Sequence, residues 1–419
     1  MSQEPTIPPQ TPLSPYSGFE ARIQSVGAAL QETWRRVLEQ IPEADAGPQR
    51  LGKTLGVDKV LASRLLNAAR APEPMTVLHR APGPAPMHRV LKSAAKLGVD
   101  AALIEAAEDA VNAFEDLIRH DNGDRSSFEA ILSAWVPESR RAFETTRMQA
   151  AYRATSQLKG VDISVFAETV IFCPSPDGLY IDIMGVKVVH GLRRLRPGVP
   201  VLFSTRGRVD GSKAQQPSNL AGEPADSVAG IVLPEFSSDP VPEFDTQIVE
   251  SSTHYLLKNN GFGSSHAVDL VSCEVIRSAI SRYQKPGLVG QSTASSVIQM
   301  PSQTMHYDLL IHEDLFPGQT PDLFIYDGAV RGPANPINRL RDIDRMDLLV
   351  NLEKLGMGLQ RFASPIVPRY HQLLTHVFGE LGIDADRLRG FRVTCDYPMY
   401  GSQFTMSFNT PDPPPGITL

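Results

Sequence analysis

The stretch MHYDLLIHEDL, residues 305–315, is where this sequence comes nearest to a catalytic or metal-binding set. Alternate residues of a strand share a face. His306, Asp308, Leu310, His312 and Asp314 would then lie on one side, with Tyr307, Leu309, Ile311 and Leu315 on the other. Imidazoles and carboxylates in line are donors suited to a transition metal. Neighbours on one face stand roughly 7 Å apart, whereas metal–ligand bonds are only about 2 Å long. His306 with Asp308, or His312 with Asp314, could share an ion, but the four together could not. The competing reading is a half-buried strand with a wet outer face, since alternation of this kind marks any antiparallel edge.

Other chemistry-bearing groups are fewer. GLRRLRPG holds Arg193, Arg194 and Arg196, candidates for an anionic ligand or a DNA backbone, or else for an ordinary turn paired with surface acids. NNGFGSSH is glycine-rich but lacks the order of a phosphate loop. Ser264 and Ser265 lack a nucleophile elbow. His371 and His376 are five apart and share a helix face poorly. No catalytic set emerges, and no cofactor is expected.

Composition narrows the classes further. The chain has 419 residues, 42% hydrophobic and 21% charged, enough to bury a core in two or three domains. Its net charge of −7 excludes a uniformly basic nucleic-acid binder but not a basic module on an acidic body. Cys173, Cys273 and Cys395 stand far apart, so neither a zinc site nor a disulfide framework is expected, and a reducing, cytoplasmic compartment is. The start has neither a positive n-region nor an apolar h-region, and no run of apolar residues is long enough to span a bilayer.

LGVD occurs at 55–58 and again at 97–100, and LGID at 381–384. A leucine ending a helix, a glycine in the left-handed position after it and an aspartate capping the next element explain all three as corners. A helix-turn-helix that reads DNA asks for more. It needs a small residue four before the glycine, an apolar plug after it and buried residues along the second helix. The outer face must carry no acids, because it enters a phosphate-lined groove. PQRLGKTLGVDKVLASRLLNAAR satisfies each demand. Gly52 is small, Gly56 turns, Val57 plugs, and Ala62 and Leu65 face Leu51 and Leu55. Asp58 caps the helix, leaving Lys59, Ser63, Arg64 and Asn67 outward. Arg and Asn can make paired hydrogen bonds to guanine and adenine edges. The second corner has equal sterics, with Ala94, Gly98, Val99 and Ile104, but shows Asp100, Glu105, Glu108 and Asp109 outward. It reads as structural. The third puts Phe378 where a small residue is needed and reads as a corner before a strand. Between Gly47 and Asp100 there are nine cations against three anions, a local excess of six, which leaves −13 for the rest of the chain. That is the expected electrostatic footprint of a DNA-binding module.

Residues 47–70, and LGVD…ASRLLN above all, resemble the helix-turn-helix of bacterial regulators of the lactose-repressor and phage-repressor (Xre-like) types. The resemblance implies recognition-helix roles for Lys59, Ser63, Arg64 and Asn67. Gln49, Arg50, Lys53 and Arg70 join them as DNA-contacting candidates, Lys53 and Lys59 chiefly on phosphate. The sequence departs from the pattern at Asp58, where serine or threonine is common, and at Ala62, where valine is. The remaining 250 or so residues resemble no family.

The elements that would position these groups form an α+β chain. Residues 1–18 read as a proline-rich disordered tail, and 19–158 as a helical domain carrying the helix-turn-helix at 48–70. Ile23, Val26, Leu30, Trp34, Val37 and Ile41 recur at helical spacing, as do Leu103, Ala107, Ala110, Val111, Phe114 and Leu117. Further helices are expected in SSFEAILSAWV and from Pro137 onward. APEPMTVLHRAPGPAPMHRV reads as a rigid linker, or as an extended arm along DNA. From 159 to 408 a mixed, mainly antiparallel β domain is expected. It opens on a hairpin at Ser-Pro-Asp-Gly and continues through PVLFST, AGIVL, DTQIVES, AVDLVSCEVI, SSVIQM, the His306 strand and DLFIYD. Two late helices, INRLRDIDRMDLLVNLEKLG and PRYHQLLTHVFGELG, precede a strand pair, FRVTCDY and SQFTMSF. Residues 409–419 read as a second tail, and RVDGSKAQQPSNLAGEPADS as a mobile loop.

The reading that unites these features is a cytoplasmic, bacterial-type transcription regulator. It would bind double-stranded DNA through its helical domain, as a homodimer or higher homo-oligomer. Its C-terminal domain would sense a small-molecule effector or form the oligomer. The alternatives are a metal-assisted enzyme on the His306 strand and a structural, self-assembling protein.

Overall fold

The computed structural model describes residues 17–119, 123–133, 135–207, 217–250, 252–258, 261–285, 290–328 and 336–415. The chain is α+β and divides into two units, Met1–Glu144 and Thr145–Leu419. The proline-rich start, residues 208–216 of the polar loop and the last four residues lie outside the described residues, while the rest of the loop, expected to be mobile, is held by a bridge between Ser218 and Val275.

The first unit is helical. Helices α1 (Ser17–Gln40), α2 (Pro48–Leu55), α3 (Lys59–Ala69), α4 (Pro74–Arg80), α5 (Pro84–Lys96), α6 (Ala101–Arg119) and α7 (Arg125–Ser133) surround one core. The apolar stripes expected of α1 and α6 face each other there, with Ile23, Leu30, Trp34, Val37, Ala107, Val111, Phe114 and Leu117 all buried. A Cβ at Gly27 would collide with the Pro74 carbonyl, so glycine is what lets α1 and α4 approach.

The proline-rich stretch after α3 is neither linker nor arm. Pro74 and Pro84 each sit in a first helical turn, where the missing N–H costs nothing. Between and beyond them Met75, Val77, Leu78, Ala81, Met87, Val90 and Leu91 are buried. The prolines start two helices instead of preventing them.

Helix α8 (Pro137–Lys159) contains the division between units, earlier than the sequence boundary at 159. The reason lies in its second half. Met148 packs in the core of the second unit, Tyr152 Oη donates to Asp162 at 3.1 Å, and Gln149 Nε2 donates to Tyr397 Oη at 2.9 Å.

The second unit is built on strands β1 (Val161–Pro174), β2 (Tyr180–Arg194), β3 (Val201–Gly207), β4 (Phe244–Val249), β5 (Ser252–Leu257), β6 (Val268–Ser281), β7 (Gln291–Val297), β8 (Ser302–His312), β9 (Asp322–Tyr326), β10 (Leu352–Met357), β11 (Leu388–Asp396) and β12 (Gln403–Asn409). A six-stranded sheet runs β10-β11-β8-β1-β2-β6, and two three-stranded sheets run β7-β12-β9 and β3-β5-β4. All pairs are antiparallel except β1 with β8. The β1–β2 hairpin turns as expected, Gly178 N–H donating to the Ser175 carbonyl at 2.8 Å.

Helix α9 (Tyr370–Leu381) covers one face of the large sheet with Tyr370, Leu373, Leu374, Val377 and Phe378, against Ala167, Val186, Val188 and Leu310. The other face buries Phe166, Val189, Tyr307, Leu309 and Phe391 beneath residues of the small sheets, among them Phe203, Tyr255, Phe404 and Met406.

Several expected elements differ. AGIVL is a 3₁₀ turn, Val228–Ile231, which makes a bridge at Val232 to Ser272 before Pro234 stops the ladder. The long helix expected over 337–356 is a 3₁₀ segment, Arg339–Asp344, followed by β10. Tertiary hydrogen bonds override helix propensity there: Asp327 N–H donates to Asp344 and Met346 N–H to Ile325. FRVTCDY and SQFTMSF both form strands, but in different sheets and not with each other. STHYLL, not foreseen as a strand, is β5.

Candidate nucleic-acid interface

The segment from Pro48 to Ala69 folds as helix, turn and helix. Gly56 ends α2 at φ 68°, in the left-handed region where a Cβ is disfavoured. Val57 N–H then reaches back to the Gly52 carbonyl at 2.8 Å, the long bond of a Schellman closure. Asp58 caps α3, its Oδ1 accepting from Leu61 N–H at 2.8 Å. A Cβ at Gly52 would stand 2.9 Å from the Val57 carbonyl oxygen and 3.6 Å from Ala62 Cβ, so the position must be small. Leu51, Leu55, Ala62 and Leu65 are buried, and Val57 packs on the same core.

The other two corners repeat this chemistry. Val99 N–H donates to Ala94 and Ile383 N–H to Phe378, at 3.3 and 2.9 Å, each after a glycine of positive φ. Asp100 caps α6, and Asp384 caps a 3₁₀ turn that leads into β11. One local solution serves three corners, and the elements they lead into differ in charge.

On the outer surface Gln49, Arg50, Lys53, Lys59, Arg64, Asn67 and Arg70 are exposed and Ser63 is half-buried. Val60 is 69% exposed on the same helix. Two of the cations lean on acids of the preceding turn at long range, Arg50 on Glu43 and Arg70 on Asp45, both at 3.8 Å and in water. Such pairs contribute little and exchange readily. Arg64 is different. Its Nη2 donates to the Ala81 carbonyl at 3.2 Å, at the end of α4. Arg125 of α7 donates to the same carbonyl and to those of Leu78 and His79, and pairs with Glu129 at 3.0 Å. Residue spacing does not reveal this cap, because its partners are main-chain groups 44–47 residues away.

The His306 strand is β8, near the middle of the large sheet. Its two faces alternate as expected, but both are buried and neither is wet. His306 and Asp308 are fully buried, with Nε2 and Oδ1 3.4 Å apart. Arg392 of β11 grips Asp308 with two bonds, 2.8 and 2.7 Å, and Tyr370 Oη adds a third at 2.6 Å. Burial pushes the Asp308 carboxyl up, yet Arg392 and His306 outweigh it and hold the group below the usual range. The network ties α9 to the sheet. His312 and Asp314 form a separate pair at the strand end, 3.4 Å apart, where Arg387 also meets Asp314. Among the described residues no three His, Cys, Asp or Glu side chains gather as a metal site.

The arginine cluster is engaged within the protein. Arg193 forms a two-bond pair with Asp162 at 2.7 and 3.0 Å. Arg194 is buried and donates to the carbonyls of Val199, Leu257 and Lys258. Arg196 donates to the carbonyls of Gln157 and Leu158 at the end of α8. His371 lies by Gln360 and His376 by Glu235, well apart. Burial pushes the Cys173 and Cys273 thiols up to about 12, which keeps them unreactive.

No family model and no curated protein matches the chain. Among solved structures, one from Parabacteroides distasonis titled a "putative protease" aligns over 60% of this chain and 40% of its own, at 8% identity and a TM-score of 0.24. A likeness that slight carries no argument about fold or activity. Among the described residues no helix is long and apolar enough to cross a membrane.

Proposed function

We propose that the helical unit binds double-stranded DNA through α2 and α3, and that the protein is a transcription regulator of bacterial type. The observation that carries this reading is the outer face of a sterically correct helix-turn-helix. Lys53 and Lys59 stand there with Ser63 and Asn67, and neither α2 nor α3 carries an acid; Asp58 caps α3, and Glu43 and Asp45 meet only Arg50 and Arg70 at its margin. Such a surface suits phosphate contacts at the helix ends and base contacts along the helix. The second corner supports the reading by contrast. Its geometry matches, but Glu105, Glu108 and Asp109 on α6 would repel phosphate.

Base reading falls first to Ser63 and Asn67, with Lys53 and Lys59 chiefly on phosphate. Arg64 braces α3 against the end of α4, and reads a base only if it releases Ala81. One small module buries little surface, so two copies on paired half-sites are expected, with the second unit joining them or sensing an effector. The buried, arginine-paired Asp308 leaves the metal-assisted alternative without a favouring observation.

The test is a pair of charge reversals, Lys53→Glu and Lys59→Glu, in the full chain. Each should weaken binding to duplex DNA about tenfold or more and lower the salt slope by about one. Glu105→Gln on α6 should weaken nothing. Equal affinity in all three variants would remove α3 as the reader.

A further inference from the structure

Strand β4 ends the β3-β5-β4 sheet with one edge open. The Glu243 carbonyl accepts from Lys258 N–H at 2.8 Å, so Glu243 turns its backbone toward β5. By alternation Asp245, Gln247 and Val249 do the same, while Phe244, Thr246 and Ile248 turn their N–H and C=O groups outward. Among the described residues β4 ladders with β5 alone. Residues 245–249 are all exposed, Ile248 by 67%. Other edges of the second unit are covered or blunted. Ser218 and Val232 bridge to β6, Arg345 bridges to β9, and β10 carries Lys354 and a bulge. β4 has no Lys, no Pro and no bulge, which makes it a template for another strand.

The same strand sets an apolar knob near an apolar hole. Phe244, Thr246 and Ile248 share a face with Tyr255, which lies opposite Thr246. On that face a cleft of about 450 Å³ is lined by Ala229, Val232, Val241, Phe244, Thr246 and Tyr255. It lies toward the Phe244 end of the strand, and Ile248 stands at the other end. A second β4, laid antiparallel with Thr246 opposite its own copy, joins these features. Every outward N–H and C=O then finds a partner. Each Ile248 falls opposite the other copy's Phe244, at its cleft, and Asp245 meets Gln247. One step back along the strand, Asp245 would face its own copy, a like-charge pair. Glu243 is already neutralised by Lys258 at 2.7 Å.

We propose that the protein forms a two-fold homodimer through β4–β4 pairing in this register, turning two three-stranded sheets into one continuous sheet. The contact uses the same patch on both copies, so it closes at the dimer. It supplies the second copy that the DNA reading asks for, but it rests on β4 alone and is tested without DNA.

The experiment is sedimentation equilibrium of the full chain, with disulfide trapping. The unaltered protein should show twice the mass of one chain. Ile248→Lys puts a charge at each cleft and should raise the dissociation constant about tenfold or more. Thr246→Pro removes an N–H that points away from β5 and should do the same. Both positions are exposed, so the melting of the monomeric variants should show an intact fold. Thr246→Cys sets two thiols opposite each other, with Cα atoms about 5.5 Å apart, and should cross-link on oxidation. Gln247→Cys lies two residues out of step with its own copy and should not. A monomer at every concentration would overturn the assignment. So would a dimer that Ile248→Lys leaves as tight as before, or that Gln247→Cys cross-links as readily as Thr246→Cys.

Discussion

Gly52 has no room for a larger side chain, since even a methyl group would press on the Val57 carbonyl. Gly52→Val should therefore destabilise the helical unit by about 1–3 kcal/mol, despite the poor helix propensity of glycine, because the corner must open. Denaturant melts of the two proteins measure it, and an unchanged midpoint would mean the corner is looser than its geometry. Asp308 presents the opposite case, a charge that is fully satisfied. Asp308→Asn leaves the Arg392 guanidinium buried without its anion and should cost about 3–5 kcal/mol. Glu168 should be visible in pH dependence. Burial pushes its carboxyl up, and Lys187 and Ser296 only partly pull it back. The folded protein therefore holds a proton that the unfolded chain releases above about 4.5. Stability from this group is present below that pH and falls as pH rises toward the folded pKa. Glu168→Gln should flatten that fall, and an identical pH slope in both proteins would show that the group is well solvated.

At the scale of elements, α4 depends on a side chain that no local pattern points to. Arg125→Met removes the donor to the carbonyls of Leu78, His79 and Ala81 and should cost about 1.5–3 kcal/mol, read as a lower melting midpoint. What the sequence made legible and what it hid divide along this line. The stripes of α1 and α6, the β1–β2 turn and all three glycine corners are local codes, written within a few residues, and the structure carries each one. Pro74 and Pro84 misled because a proline that starts a helix and one that prevents it look alike in sequence. The stretch 337–356 misled because its hydrogen bonds go to Ile325 and Asp327, far away in the chain. The candidate DNA-reading face was legible, as spacing and charge sign. The Asp308 network was not, because Arg392 and Tyr370 join it only through strand register and the seating of α9.

At the scale of the whole molecule, charge is partitioned. An excess of six cations falls between Gly47 and Asp100, in a chain of net −7. An acidic body suppresses indiscriminate binding, while a basic module keeps its local attraction for phosphate. The most direct test is binding of the full chain to labelled random-sequence duplex DNA across a salt series. Binding is expected at low salt, weakening with a log–log slope of about three to six as several phosphates are neutralised. No binding even at the lowest salt would contradict a DNA-reading α3, and would make the first LGVD a structural corner like the other two.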